Sequence, residues 1–598
     1  MSVHSETKAS RYHVTGVLAA IVLAVTWSIP TLAAPPQRPT LRPQFSDAVA
    51  MDVSPSLRSL AARADRPQVS PGVFQGSGGV RQLRPERGAP GADKLTTQRA
   101  GRDRAVQSDE VGVNTVGSPI ANFEGLSNQD NFNVFGFRVN PPDPVGDVGP
   151  NHYVEMINVV FGVFSKSGSL LLGPVDTGTL WAGFPIEDCT DPSGDPIVVY
   201  DQLADRWILS QLTARGFDAQ GNFNGLPFYN CVAVSTTGDP TGSYYRYAFI
   251  TSQDGSSSAF FPDYPKMGVW TDSYALTSRD FGSNDEYGIS VYAFEKNKML
   301  NGQPARAVHF FLDGNNPAIL PLVGDGLLPA DVDGSKKPKS DTAIPIVGTQ
   351  DDGAPYGATF DALNVFDLSV RWRSTPIASL VLKSQLPVAA FDSVFPCVGG
   401  FGSRDCLPQP GITNTAQYLD ILSYRQRPTW RLAYRNFGGH EALVTNQSVE
   451  ALPGVAGVRW YEVRRSAAGA YSVFQQGSFA PSDGVHRWMG SIAQDKFGNA
   501  ALGYSVVNGT TVFPGIRYTG RLASDPLGVM AQGEKTIING SGVQTTTNSR
   551  WGDYTSMNVD PVDDCTFWYV NEYYTAAGQA SSPAGWQTRI ASFKLPGC

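Results

Sequence analysis

The chain has 598 residues, 41 % of them hydrophobic and only 17 % charged, with 62 Gly, 43 Pro, 23 Tyr and 11 Trp. That balance calls for a large core and many short strands joined by tight turns, and argues against a helical or α/β protein, which carries more Lys, Glu and Ala. The net charge of −8 is uneven: residues 35–104 are basic and 105–598 carry about −15, which disfavours nucleic acid as a partner because that affinity rests on neutralising phosphates.

Lys8, Arg11 and His13 precede an apolar run, 14–27, which Pro30 ends ahead of Thr31-Leu32-Ala33-Ala34. This is the anatomy of an export signal over 1–33 with a small-residue cleavage site. The run is shorter than the roughly 20 residues a spanning helix needs, so an uncleaved anchor is the weaker reading. The expectation is a secreted protein, extracellular or periplasmic, with no transmembrane segment. Residues 34–118 are rich in Pro, Arg, Ser and Gly with few aromatics. Such a segment buries too little apolar surface to offset its ordering entropy, and is expected to be a disordered linker or propeptide.

From 119 to 598 a loose repeat appears. Asp143-Pro144-Val145-Gly146-Asp147-Val148 has counterparts in Gly194-Asp195-Pro196-Ile197-Val198-Val199, Pro262-Asp263-Tyr264-Pro265-Lys266-Met267, Arg487-Trp488-Met489-Gly490-Ser491 and Trp551-Gly552-Asp553-Tyr554-Thr555. Each has a leading polar residue, a short strand, an Asp turn and a second strand of aromatic and aliphatic residues. Weaker units lie at 341–385 and 412–480, the latter containing Glu441-Ala442-Leu443-Val444-Thr445. Four antiparallel strands per unit is the blade of a β-propeller. The fold class is therefore all-β, with seven blades expected and six or eight open; two β-sandwiches are the runner-up. The last strand, 588–593, is expected to complete a blade begun near the start of the domain, in a monomer.

Six Cys in an exported chain favour disulfides. Cys397 and Cys406 flank a Gly-rich loop, Cys189 and Cys231 fall in one presumed sheet, and Cys565 with Cys598 would tie the last residue back to a strand. No pair has the C-x-x-C spacing of a zinc site.

If the repeat is aligned correctly, its leading residues meet at one mouth of the central channel. That gathers Asp195, Asp263, Asp553, His440 and His486 as candidate catalytic groups, since crowded carboxylates raise one pKa while neighbouring cations keep another ionised. Arg487, Trp488, Arg550, Tyr264, Tyr554 and Glu441 would bind substrate, the flat rings suiting the apolar faces of sugars. Asp143 and Asp147 offer oxygen ligands for Ca²⁺; Asp331-x-Asp333-Gly334 departs from the EF-hand pattern and reads as a surface turn. The competing reading of every Asp is a turn cap bonded to nearby backbone. There is no G-x-S-x-G elbow and no phosphate loop after a strand.

On the stretches Asp143 to Val154, Gly194 to Trp207, His486 to Ser491 and Arg550 to Tyr554, the chain resembles a group of large exported bacterial propeller proteins, mostly of unassigned function. The layout is more distantly similar to sialidase-type propellers, but without their S-x-D-x-G-x-x-W box. The resemblance implies fold and export and carries over no catalytic residue. Two functions stay open: a carbohydrate-active hydrolase or lyase at the channel mouth, acting on an extracellular polysaccharide or cell-surface glycan, and a non-catalytic binding or adhesion propeller.

Overall fold

Runs of β-branched and aromatic residues alternate with Gly-, Pro- and Asp-bearing turns, and neighbouring runs pair as antiparallel meanders. The computed structural model describes residues 41–63, 73–75, 80–83, 103–108, 115–251, 260–339, 342–400, 403–421, 426–546 and 549–598. The export signal expected at 1–33 lies outside them. Sheets follow one another along the chain at 145–176, 197–251, 261–313, 328–387, 429–479, 486–538 and 556–593. The fourth and fifth are joined into one nine-stranded sheet by a parallel pairing of Leu328–Asp333 with Thr429–Asn436.

The first strand of each unit packs beside the first strand of the next, and Ser556–Val559 returns to Val145–Val148. The inner strands thus form a closed ring around one axis, which is the β-propeller layout. Side chains stitch adjacent inner strands together. The Asp147 carboxylate accepts from the Tyr200 N–H at 2.7 Å, Asp331 from the Val269 N–H at 3.0 Å and the Ser491 hydroxyl from the Met557 N–H at 2.9 Å. Apolar faces of the sheets fill the space between units, with Trp207, Trp270, Trp460, Trp488, Trp551 and Trp586 fully enclosed.

The ring closes through the strand Ala121–Ser127, which pairs antiparallel with Trp586–Phe593 and takes the outermost place of the last sheet. The final strand therefore lies third in its sheet, and the early strand completes it. The disulfides Cys189–Cys231, Cys397–Cys406 and Cys565–Cys598 form as expected. No helix among the described residues is long and apolar enough to cross a membrane.

The expectation of disorder over 34–118 is corrected for 41–63. Gln44–Asp47 adds to the edge of the 261–313 sheet and Ala50–Val53 to the edge of the 197–251 sheet. A short helix, Leu57–Ala61, capped by the Ser56 side chain, buries Leu57 and Leu60. Composition averaged over a segment misses strands whose partner is an exposed sheet edge, where backbone groups of another unit supply the pairing. Val106–Gln107 likewise pairs with Tyr471–Phe479.

Candidate functional site

Three of the aligned leading positions share a backbone feature: Asp143, Asp195 and Tyr264 have φ of 48°, 45° and 53° just ahead of, or within, an inner strand. A positive φ is uncommon outside Gly and is tolerated best by Asp and Asn. In this conformation the chain turns sharply into the inner strand. Met489 has φ 50° at the corresponding place in His486–Gln494, followed by a register shift between Trp488 and Ser491. The sheet 486–538 therefore contributes an apolar Met where the sequence alignment put His486.

Asp143, Asp195, Asp553, Arg550, Tyr264 and Tyr554 do converge. The Asp143 carboxylate accepts from the Asp553 N–H at 2.7 Å and from the Asn158 amide at 2.7 Å. The Asn158 side-chain oxygen accepts from the Asp195 N–H at 2.9 Å, and the Asp195 carboxylate from the Tyr264 N–H at 3.1 Å. Burial, then the Asp553 and Asp195 charges, push the Asp143 carboxyl up to about 8, against the pull of Arg550 and of the Asp553 N–H. Asp553 lies nearer the mouth, its side chain 11 % exposed, with Arg550 at 3.3 Å and Arg427 at 3.9 Å. Its Oδ1 has no hydrogen-bond partner. Asp263 is held by Arg279 at 2.7 Å, and Arg279 also reaches Asp325 at 3.4 Å.

Tyr264 and Tyr554 stack with ring centroids 5.2 Å apart. The Lys266 ammonium nitrogen sits 3.0 Å and 3.5 Å from those two centroids, a cation–π contact with both rings. Complete burial and the nearby Arg427 depress its pKa well below the ordinary lysine value, against the Asp195, Asp553 and Asp143 charges. Lys266, Arg427 and Arg279 went unread in the sequence. The signal for Arg427 was the segment it opens: 427–435 holds three Arg among Trp, Leu and Tyr, which reads as a polar connection until Arg431 is seen between Asp331 at 2.8 Å and Asp333.

Those ion pairs also correct the surface-turn reading of Asp331 and Asp333, which lie buried in the inner strand Leu328–Asp333. Taking Thr429–Asn436 as a first strand makes Glu441–Leu452 a second strand, so His440 and Glu441 do not join the axial cluster. They line a shallow surface pocket with Lys339, Asn436 and Arg465, where Arg465 approaches Glu441 at 3.4 Å. His486 is buried, its Nδ1 accepting from the Ala456 N–H at 3.2 Å, and burial with the neighbouring Arg487 pushes its pKa down to about 4. Arg487 is clasped by Asp483 at 2.7 Å and Glu534 at 2.8 Å, and Trp488 packs on Trp551 at 5.0 Å. None of the three reaches the cluster.

Asp143 and Asp147 do not face one shared position. Asp147 accepts from Val148 and Tyr200 N–H groups, and burial pushes it up to about 8 against the pull of Arg431. Both oxygens of each carboxylate already accept N–H groups, and the two side chains bond to different strands, so they form no shared donor set for Ca²⁺. Among the described residues, the carboxylates close enough to share an ion are Asp351, Asp352 and Asp361. Asp351 and Asp361 already accept backbone N–H groups of Gly353, Ser393, Asp352 and Phe391.

No protein-family model matches the chain, and no curated protein matches it. Solved structures do. An α-L-arabinofuranosidase of Fusarium graminearum in complex with an iminosugar inhibitor is 9 % identical, over 67 % of this chain and 94 % of that one, with a TM-score of 0.32. A Penicillium chrysogenum α-L-arabinanase complexed with arabinobiose is 9 % identical over 67 % and 93 %, with a TM-score of 0.29. An endo-arabinase of Bacteroides thetaiotaomicron is 14 % identical over 56 % and 94 %, with a TM-score of 0.25.

Proposed function

We propose that the chain is a glycan-directed propeller, a polysaccharide hydrolase or lyase working at this mouth of the channel. The observation that carries the reading is Asp553: a carboxylate 11 % exposed, beside Arg550 and Arg427, whose backbone N–H donates to the buried Asp143 carboxylate. Arg550 and Arg427 set two cations beside this carboxylate, which would take the proton in the reaction. Asp263, also partly exposed and tied to Arg279, is the second proton carrier in this scheme. Three disulfides fit an oxidising compartment, so we place the protein outside the cytoplasm.

The test is product release, followed by mass spectrometry, from acidic and neutral polysaccharides, with and without a chelator. New oligosaccharides are expected, and an unsaturated end would mark a lyase. Asp553→Asn keeps the backbone N–H that Asp143 accepts, so it should abolish turnover while the melting temperature stays within a few degrees. A folded, fully active variant removes Asp553 from the reaction. One observation favours the alternative, a binding or adhesion propeller: Asp143 and Asp195 each spend a carboxylate oxygen on a backbone N–H of another unit, as structural caps do. Retained binding to one polymer with no product across the panel would establish that reading.

A further inference from the structure

Three arginines reach the axial cluster, and they are not equivalent. Arg279 hydrogen-bonds to Asp263 and Asp325, and Arg550 to Asp553. Arg427 is 1 % exposed, and none of its three guanidinium nitrogens has a hydrogen-bond partner. Among the described residues its one ion pair is the loose 3.9 Å approach to Asp553, and its guanidinium lies 3.6 Å from the Tyr264 ring centroid. Two more residues are in the same condition, Tyr264 under the guanidinium and Gln426 next to Arg427 in the chain. The Tyr264 hydroxyl and both polar atoms of the Gln426 side chain are buried without partners. Leaving one charged group in that state is costly, and a buried guanidinium without hydrogen bonds is among the costliest.

The chemistry of the unpartnered set is one-sided. Arg427 offers five N–H donors in a planar fork, Gln426 two and Tyr264 one, against the Gln426 carbonyl and the Tyr264 lone pairs as acceptors. A group that satisfies them is small, rich in acceptors and anionic, and the fork geometry of guanidinium matches a carboxylate two bonds at a time. The guanidinium head reaches toward Asp553, whose side chain keeps contact with solvent at the mouth. We propose that Arg427, with Tyr264 and Gln426, is the binding site for the carboxylate of an acidic sugar, so that the ligand of this propeller is a polyuronate rather than a neutral glycan. This deepens the glycan-directed reading and rests on it.

The test measures binding of the full chain to polygalacturonate and to its fully methyl-esterified form, for wild type and Arg427→Gln. The ester removes the charge and keeps the sugar ring. Wild type should bind the acid form about tenfold or more tighter than the ester, the scale of one charge-assisted hydrogen-bonded pair, and Arg427→Gln should erase that difference. Circular dichroism checks folding, and Arg427→Lys, which keeps the charge without the fork, substitutes if Arg427→Gln does not fold; it should lose most of the preference. Equal binding of acid and ester by wild type, or an unchanged preference in a folded variant, overturns the site while leaving the glycan reading intact. If no polysaccharide binds, the glycan reading fails, and sodium acetate against sodium chloride at matched ionic strength decides the site alone. Acetate-specific stabilisation of wild type that Arg427→Gln lacks supports an oxyanion site; its absence overturns it.

Discussion

Glu155 shows how single buried acids set the pH response. Its carboxyl accepts from the Leu126 N–H at 2.7 Å and meets the Thr588 hydroxyl at 2.5 Å, and burial pushes its pKa up to about 8. Asp143, Asp147 and Asp392 are likewise pushed up to about 8, each chiefly by burial. A folded pKa above the unfolded value means that the native state binds more protons than the unfolded chain. Stability from these groups is full below the unfolded carboxyl range near pH 4, and is lost as pH rises toward about 8. Urea unfolding at a series of pH values should therefore show stability falling between pH 5 and 8. Glu155→Gln should flatten that slope at little cost. Its amide can donate to the Thr588 hydroxyl, which already donates to the Leu126 carbonyl at 2.7 Å, while its carbonyl keeps the Leu126 N–H. A slope unchanged in the variant would show that Glu155 is ionised in the folded protein.

At the scale of elements, the N-terminal strands are part of the folded body. Arg246, buried in the strand Tyr244–Thr251, forms a two-point pair with Asp52 of Ala50–Val53, Nε at 2.8 Å and Nη2 at 2.5 Å. Deleting residues 1–63 removes that partner and strips two sheet edges at once, leaving Arg246 with the Leu180 and Ala182 carbonyls. The melting temperature should fall sharply and the exposed edges should promote association, whereas deletion of 1–40 touches none of the described contacts. Equal melting temperatures for the two truncations would show that the edge strands add nothing. Here the sequence was legible in part. Strand content and the Asp-led units at 145, 197 and 261 could be read because turn residues and aromatic runs are local signals. Thr429–Asn436 could not: its Arg431 looks solvent-directed until the facing Asp331 and Asp333 are known. Missing it shifted His440 and Glu441 into a place they do not hold.

For the whole molecule, closure of the ring is the feature on which the site depends, because Asp143 and Asp553 come from opposite ends of the folded chain and meet across the seam. The seam is held by Ala121–Ser127 on Trp586–Phe593, and Cys565–Cys598, which spans 33 residues, ties the end of the chain to the residues just ahead of the neighbouring strand Phe567–Tyr574. Cys598→Ser should lower stability by about 4 kcal/mol, the loop-closure value for that span, and calorimetry should show it. An unchanged unfolding profile would mean that strand pairing alone secures the ring. Composition, turn chemistry and cysteine spacing determined the all-β class, the recurrence of four-stranded units and the three disulfide pairs, since each is written in local residue patterns. Which polar residues share the axis was decided by tertiary structure. The left-handed turn that places Asp143, Asp195 and Tyr264 there holds Met489 in the 486–538 sheet, and Lys266, Arg279 and Arg427 reach the cluster only because the ring brings separate strands to one end of its channel.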